Sequence, residues 1–266
     1  MTVLIVVPAR FASSRFPGKP LELLKGATGT QKSLIRRSWE AASLADGVSR
    51  VVVATDDIRI RDTVQAFGGE CVMTSPACRN GTERCWEAVE RLGGHYEIVV
   101  NVQGDAPLTP PSFVESLVVA MSEDCGAEVA TPVIRFDEAT LGEFAEDLGR
   151  GRPGGTTAVF DAAGRALYFS KEIIPWSGYT LVPGEPCPVF HHVGVYAYTR
   201  QALGWYYRQK PGTLERVEGL EQLRFLEHGA DIACVEVESG NHKFWEVNNP
   251  GDIDRVEKRL QALGIE

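Results

Sequence analysis

The chain has 266 residues, of which 44% are hydrophobic and 24% charged, and its formal net charge is −9 at neutral pH. That length can bury a large core, as one domain or as one domain carrying a lobe. Net negative charge argues against nonspecific nucleic-acid binding, which needs a basic face, and no apolar run reaches the roughly 18 residues of a membrane span.

No basic stretch precedes the first apolar segment, so no signal peptide is expected. The cysteines are Cys71, Cys78, Cys85, Cys125, Cys187 and Cys234. None forms a C-x-x-C pair, and no histidine is spaced with them as a zinc ligand. Reduced thiols and a cytoplasmic setting are the expectation.

Residues 2–7 form a continuous apolar run that reads as a buried strand. It ends at Pro8 and enters a polar loop carrying Arg10, Ser13, Ser14, Arg15, Gly18 and Lys19. Its three cations and accessible backbone N–H groups make a candidate polyphosphate cradle; a solvated basic loop is the alternative. The loop fits neither the Walker pattern nor G-x-G-x-x-G.

Residues 31–45 have helical spacing, with Leu34, Ile35, Ser38 and Ala42 on one side. A strand at 50–54 ends in Thr55-Asp56-Asp57, and a helix at 58–67 closes on Gly68-Gly69. A short strand at 70–73 precedes a helix at 82–92, again closed by a double glycine. The next strand, 97–102, is apolar apart from Asn101 and ends in Gln103-Gly104-Asp105. A helix at 111–121 and a strand at 128–134 follow.

This alternation predicts an α/β fold with a mainly parallel, Rossmann-like sheet covered on both faces. Ligands of such sheets bind beyond the carboxyl ends of the strands. Three strand ends here supply Arg10, Arg15 and Lys19, then Thr55-Asp56-Asp57, then Gln103-Gly104-Asp105, and they can converge on one crevice.

The second half reads differently. Residues 136–155 are acidic and glycine-rich and are expected to loop out. Strands are predicted at 156–160, 166–170 and 193–198, with a turn-rich stretch at 177–188. A helix at 214–228, a strand at 232–237 and a helix at 250–263 complete the chain. The expected organisation is a single domain. Its nucleotide-binding core spans about 1–135 and 214–266, with an inserted β-rich lobe at about 136–213.

The chain resembles the CMP-Kdo synthetases, the 3-deoxy-manno-octulosonate cytidylyltransferases. The matching blocks, in order, are VVPARFASSRFPGKPL, VVVATDD, NGTER, VVNVQGDAP, ALYFSKEIIPW, HHVGVYAY, TLERVEGLEQLRFLEHG and VNNPGDIDRVE. The resemblance implies a single nucleotidyltransferase domain with a nucleotide-diphospho-sugar transferase type of fold, a homodimer, CTP as donor and Mg²⁺ as cofactor, and it gives the lobe at about 136–213 to the acceptor and dimerisation. It casts Arg10, Arg15 and Lys19 as the triphosphate clamp, with Ser14 on the same loop. Thr55, Asp56, Gly81, Thr82 and Arg84 become walls of the nucleotide site, and Asp105 the metal-binding carboxylate. Gln103, Lys171, His192, Tyr196, Glu221 and Gln222 fall where the family meets its sugar-acid acceptor. By residue type alone, Asp105 also reads as a turn aspartate, Glu221 and Gln222 as an exposed helix face, and His192 as a core histidine.

Departures from the family pattern fall mostly on the acceptor side. The family's QGDEP is QGDAP here, with Ala106, and Lys171 and His191 stand where it usually has arginine. Its V-D-T-P block is Val247-Asn248-Asn249-Pro250. Asn248 can offer a metal its carbonyl oxygen but brings no charge. The resulting expectation is a cytidylyltransferase acting on an acidic acceptor, either a Kdo-type sugar acid or a small phosphonate such as phosphonoformate. A degenerate, non-catalytic nucleotide-binding module and a different nucleotide donor are the other readings.

Overall fold

The computed structural model of the protein describes residues 1–13, 16–122, 127–151, 155–176, 185–238 and 245–266. Strand β1 (Val3–Ala9) leads through a 3₁₀ turn (Lys19–Leu21) into a hairpin of β2 (Leu23–Lys25) and β3 (Gln31–Ser33), then α1 (Leu34–Ser43). There follow β4 (Arg50–Thr55), α2 (Ile58–Ala66), β5 (Glu70–Met73), α3 (Gly81–Leu92), β6 (Ile98–Asn101), α4 (Pro111–Ser122) and β7 (Val129–Arg135). The second half holds α5 (Glu138–Gly149), β8 (Thr156–Phe160), β9 (Ala166–Ser170), β10 (Phe190–His192), β11 (Tyr196–Thr199) and α6 (Arg200–Arg208). It ends with α7 (Thr213–Glu218), α8 (Leu223–Glu227), β12 (Ala233–Glu236) and α9 (Asp252–Leu263).

Among the described residues one large sheet runs β5-β4-β1-β6-β11-β7-β10-β8-β9, with β12 also on β7. The half made of β5, β4, β1 and β6 is parallel throughout. β11 enters antiparallel between β6 and β7. The lobe strands β8 and β9, both predicted, and β10 pair in series onto β7 and so prolong the same sheet.

Successive side chains of a strand face opposite ways, and β1 shows why its apolar run is unbroken. Leu4 and Val6 pack with Val99, Cys85 and Val89 on the α3 side, while Val3, Ile5 and Val7 pack with Ile35, Ile60 and Val100 on the other. A strand covered on both faces has no position left for a polar residue. Each such Val, Leu or Ile contributes about 1.5–3 kcal/mol of transfer free energy, so the strand's position is strongly fixed.

Several predicted elements are corrected. Residues 31–33 pair as β3, so the helix predicted at 31–45 begins at Leu34. The stretch expected to loop out, 136–155, contains α5, whose N-cap Asp137 accepts from Thr140 N–H at 2.6 Å. Phe136 and Leu141 bury against Ile173, Cys187 and Val189 in a small separate core. The strand predicted at 193–198 begins later, as β11 at Tyr196, and β10 at Phe190–His192 precedes it where no strand was predicted. The helix predicted at 214–228 is two helices, because Gly219 adopts φ 67° and caps α7 by donating to Glu215 O at 2.8 Å. A side chain there would meet Lys171 Nζ at 3.0 Å. α6 occupies a stretch where the pattern predicts no element. The turn-rich stretch 177–188 lies mostly outside the described residues.

Arg224 locks the break. It is fully buried and donates to Glu83 Oε1 at 2.9 Å and to Glu215 Oε2 at 2.6 Å, joining α3, α7 and α8. Its guanidinium also lies 4.0 Å from the Tyr206 ring centroid. Burial disfavours the Glu83 carboxylate, but bonds from Arg79 and Arg224 outweigh it and hold its pKa below the ordinary value. Arg224→Ala leaves Glu83 with Arg79 as its remaining arginine and removes the bonds to Glu215, so the expected loss of stability is about 1.5–3 kcal/mol. Urea unfolding measures it, and a loss under about 1 kcal/mol would contradict a role for the pair in holding the break.

Candidate active site

A cavity of about 830 Å³ opens at the carboxyl ends of β1 and β6, where ligands of open α/β sheets bind. The two strand ends approach closely: a Cβ on Gly104 would lie 2.6 Å from Pro8 O, so only glycine fits. Arg10 lines the cavity beyond β1, and Gln103 and Asp105 line it beyond β6. The N-terminus of α3 adds Gly81 and Arg84, the turn between α7 and α8 adds Glu221 and Gln222, and the segment after 244 adds Glu246 and Asn248.

Lys19 draws these parts together. Its Nζ donates to Asp105 Oδ2 at 2.5 Å and to Val247 O at 2.8 Å. Val247 N–H donates in turn to Asp105 O at 2.9 Å. Asn248 is thereby held beside the β6 end, its N–H and that of Asn249 donating to Asp252 Oδ2 at 2.9 and 2.7 Å. Asp105 and Asn248 thus bring two hard oxygen groups to one cavity. Among the described residues, no three or more of His, Cys, Asp and Glu gather as a metal site. Ser14 and Arg15 lie outside the described residues.

The nucleotide wall is partly brought together. Arg84 lines the cavity but is buried, donating to Thr74 Oγ1 at 2.6 Å, with Asp56 Oδ1 at 3.5 Å in an ion pair lacking hydrogen-bond geometry. Asp56 itself is behind the lining. Thr55 is fully buried and accepts from Asp57 N–H at 3.2 Å. Thr82 is buried too, sharing a hydrogen bond of 2.9 Å with the Tyr198 hydroxyl. Neither threonine lines the cavity, because each turns toward the packed interior.

On the acceptor side, Tyr196, His192 and Gln222 line the cavity and are nearly fully buried. Thr131 Oγ1 donates to Val195 O at 2.8 Å and so accepts from His192 Nε2 at 3.0 Å, since a hydroxyl has one proton. Burial, with His191 adjacent, lowers the His192 pKa to about 3; it stays neutral, a hydrogen-bonded core histidine that also forms part of the cavity wall. His191 also lines the cavity, near Phe136 and Phe144 with ring centroids at 5.7 and 6.5 Å, and burial lowers its pKa to about 4. Lys171 is outside the lining; its backbone N–H donates to Glu218 Oε2 at 3.2 Å and its Nζ packs over Gly219.

Sequence reasoning missed a stretch of wall. α5 contributes Thr140, Glu143, Phe144 and Asp147 to the cavity. The apolar positions 136, 141, 144 and 148 were its available signal. Glu246 was also missed.

Glu221 is the titrating group of the site. It accepts from Gly81 N–H at 3.0 Å, and its own carbonyl accepts from Tyr206 O–H at 3.1 Å, whose oxygen accepts from Asn80 Nδ2 at 2.7 Å. The turn is thus tied to the start of α3. Burial raises the Glu221 pKa to about 7, against the opposing bonds from Thr82 and Gly81.

The cytidylyltransferase family pattern matches residues 4–232. The chain belongs to the cytidylyltransferase family. A 3-deoxy-manno-octulosonate cytidylyltransferase of Maricaulis maris is 44% identical over 99% of both chains. An 8-amino-3,8-dideoxy-manno-octulosonate cytidylyltransferase of Shewanella sp. is 42% identical over 98% of this chain and all of the relative. Among solved structures, a CMP:2-keto-3-deoxy-manno-octonic acid synthetase complexed with CTP superposes with TM-score 0.83 and 34% identity, covering all of both chains. This cytidylyltransferase is therefore an enzyme with the nucleotidyltransferase type of Rossmann-like fold, and the binding-module reading is set aside.

The raised Glu221 pKa has a consequence for stability. Between its ordinary value of 4.5 and about 7 the native chain holds a proton that the unfolded chain releases. Stability therefore falls as pH rises through that window and the loss is complete above it. Glu221→Gln should remove this slope, a relative gain of at most about 3 kcal/mol between pH 5 and pH 8 by linkage. Urea unfolding of parent and variant across that range checks it; an identical pH slope in both would refute it.

Proposed function

We propose that this cytidylyltransferase moves CMP from CTP to a 3-deoxy-octulosonate-type sugar acid and releases pyrophosphate. The observation that carries the reading is one cavity with two chemically unlike sets of lining groups. Arg10 and Lys19 suit a polyphosphate. Gln103, Tyr196 and Gln222 supply neutral donors and acceptors of the kind that fix a polyhydroxylated ligand. Full-length likeness to a synthetase solved with CTP supports the donor. The small-phosphonate alternative finds no support in the relatives above, which are named for octulosonates.

In this reading an acceptor hydroxyl oxygen attacks the α-phosphorus of CTP. The new P–O bond forms as the bond to the bridging α,β oxygen breaks, pyrophosphate leaves, and the acceptor's proton passes to solvent. The chain's work is positioning and charge neutralisation. Lys19 spans the phosphate side and Asp105, and the glycine at 104 lets the strand ends close on each other. Mg²⁺ fits the donor set, because it ordinarily takes one or two carboxylates and completes its shell with phosphate oxygens and water. Asp105 and Asn248 would hold it, and it would supply charge neutralisation on the phosphoryl oxygens. A cytoplasmic setting belongs to the same reading. The described cysteines are all free, and among the described residues no helix is long and apolar enough to cross a membrane.

Pyrophosphate release tests the assignment. CTP and Mg²⁺ are offered with 3-deoxy-manno-octulosonate, its 8-amino-8-deoxy analogue, or phosphonoformate. Release with an octulosonate, halted by EDTA, is expected. Turnover with phosphonoformate alone would overturn the acceptor, undiminished turnover in EDTA would overturn the metal, and silence with every acid would overturn the transfer.

A homodimer completes the proposal. Edge strand β9, with Leu167 63% exposed, is bonded to α7, with Val217 81% exposed, through Ser170 Oγ donating to Glu218 Oε1 at 2.8 Å. Exposed apolar side chains on a sheet edge support a second copy as partner. Sedimentation velocity should find twice the single-chain mass, shifting toward one chain for Val217→Glu. A parent sedimenting as one chain at micromolar concentration would refute it.

A further inference from the structure

Strand β6 is apolar except at Asn101, which is fully buried. Its position in the sheet is already satisfied by pairing with Val6 on β1 and Tyr196 on β11. The side chain is therefore the anomaly. Asn101 Oδ1 accepts from Gln103 Nε2 at 3.4 Å, while Asn101 Nδ2 has no hydrogen-bond partner among the described residues. Buried amide donors are nearly always paired, asparagine is disfavoured in strands, and an aliphatic residue of similar volume would avoid both costs. Packing does not account for this residue.

Its location does. Gln103 stands two residues on, just past the end of β6, where its side chain reaches Asn101 and lines the cavity. Gly81 lines it as well, and a Cβ there would lie 3.1 Å from Asn101 Nδ2 and 3.5 Å from Glu221 Oε1. Gly81, with no side chain, and Pro8 lie between the Asn101 amide and the cavity they both line.

We propose that Asn101 is a positioning residue for the acceptor: by accepting from Gln103 Nε2 it turns the Gln103 carbonyl oxygen toward the cavity, where that oxygen accepts from an acceptor hydroxyl. This rests on the sugar-acid reading given above. The 3.4 Å contact is at the long end for N–H···O, so the pair has room to tighten as Gln103 engages a hydroxyl. Gln103 freed from Asn101 would offer N–H and C=O indifferently, and the acceptor would lose a defined partner.

The test is a double-mutant cycle of Asn101→Leu and Gln103→Leu. Leucine is close in shape to asparagine and suits this core, so the thermal midpoint should not fall; if it does, Asn101→Val is read in its place. Asn101→Leu should raise the acceptor KM about tenfold, leave kcat nearly unchanged, and leave CTP affinity within about twofold. The double variant should be no worse than Gln103→Leu alone, because Asn101 acts through that residue. Losses that multiply, an unmoved acceptor KM, or CTP affinity falling in step would each overturn the role. The cycle is run with whichever acid of the panel the parent turns over. A parent that ignores octulosonates thus overturns the acceptor assignment alone, and multiplying losses overturn Asn101 alone.

Discussion

The site hangs on one ammonium group. Lys19 Nζ meets Asp105 Oδ2 and Val247 O, and so joins stretches 86 and 228 residues away from it. As an ion pair with side chains 14% and 26% exposed, it adds only modestly to stability. Its importance is geometric. An ammonium has three N–H donors, and two fixed bonds aim the remaining one. The Gly18 turn before it, with φ 75°, sets the height from which Lys19 reaches across. Without that tie the segment carrying Asn248 would be held at the β6 end chiefly by Val247 N–H on Asp105 O.

The parallel half of the sheet was legible because burial on both faces leaves continuous apolar runs, as in β1 and β4, and because polar residues then cluster at the strand ends. That put Arg10, Lys19, Gln103 and Asp105 in one place before any coordinates. The turn holding Glu221 and Gln222 was harder. Residues 214–228 carry a helical pattern, and what interrupts it is left-handed Gly219, whose local signal was outweighed by that pattern; the buried Arg224 that holds the break does so by tertiary pairing with Glu83. Helix α5 was missed for the opposite reason: its charged, glycine-bearing composition obscured the spacing of Phe136, Leu141, Phe144 and Leu148. Thr55 and Thr82 stand beside the site in sequence, yet they face inward, and sequence adjacency does not say which way a side chain points.

The departures on the acceptor side make physical sense together. Ala106 is fully buried, so no charge stands there. His191 is neutral among aromatic rings, and Lys171 lies outside the cavity. Beside the carboxylates of Glu221 and Glu246, this part of the cavity carries amides, a phenol and a neutral imidazole. In the proposed reading these neutral groups would meet hydroxyls by direction, and the orientation of each amide then matters more than its presence.

The small core beneath α5 is separate from the two that sandwich the sheet. Phe136, Leu141, Ile173, Cys187 and Val189 close on one another rather than on the central strands. A wall of the cavity therefore rests on its own foundation. Sequence drift in that patch can reshape one wall of the cavity, while the floor, fixed by Gly104 against Pro8, stays where it is. Wall and floor are in this way mechanically uncoupled, and on the proposed reading a lineage of such enzymes would have a route to new acceptors without rebuilding the end that holds Lys19 and Asp105.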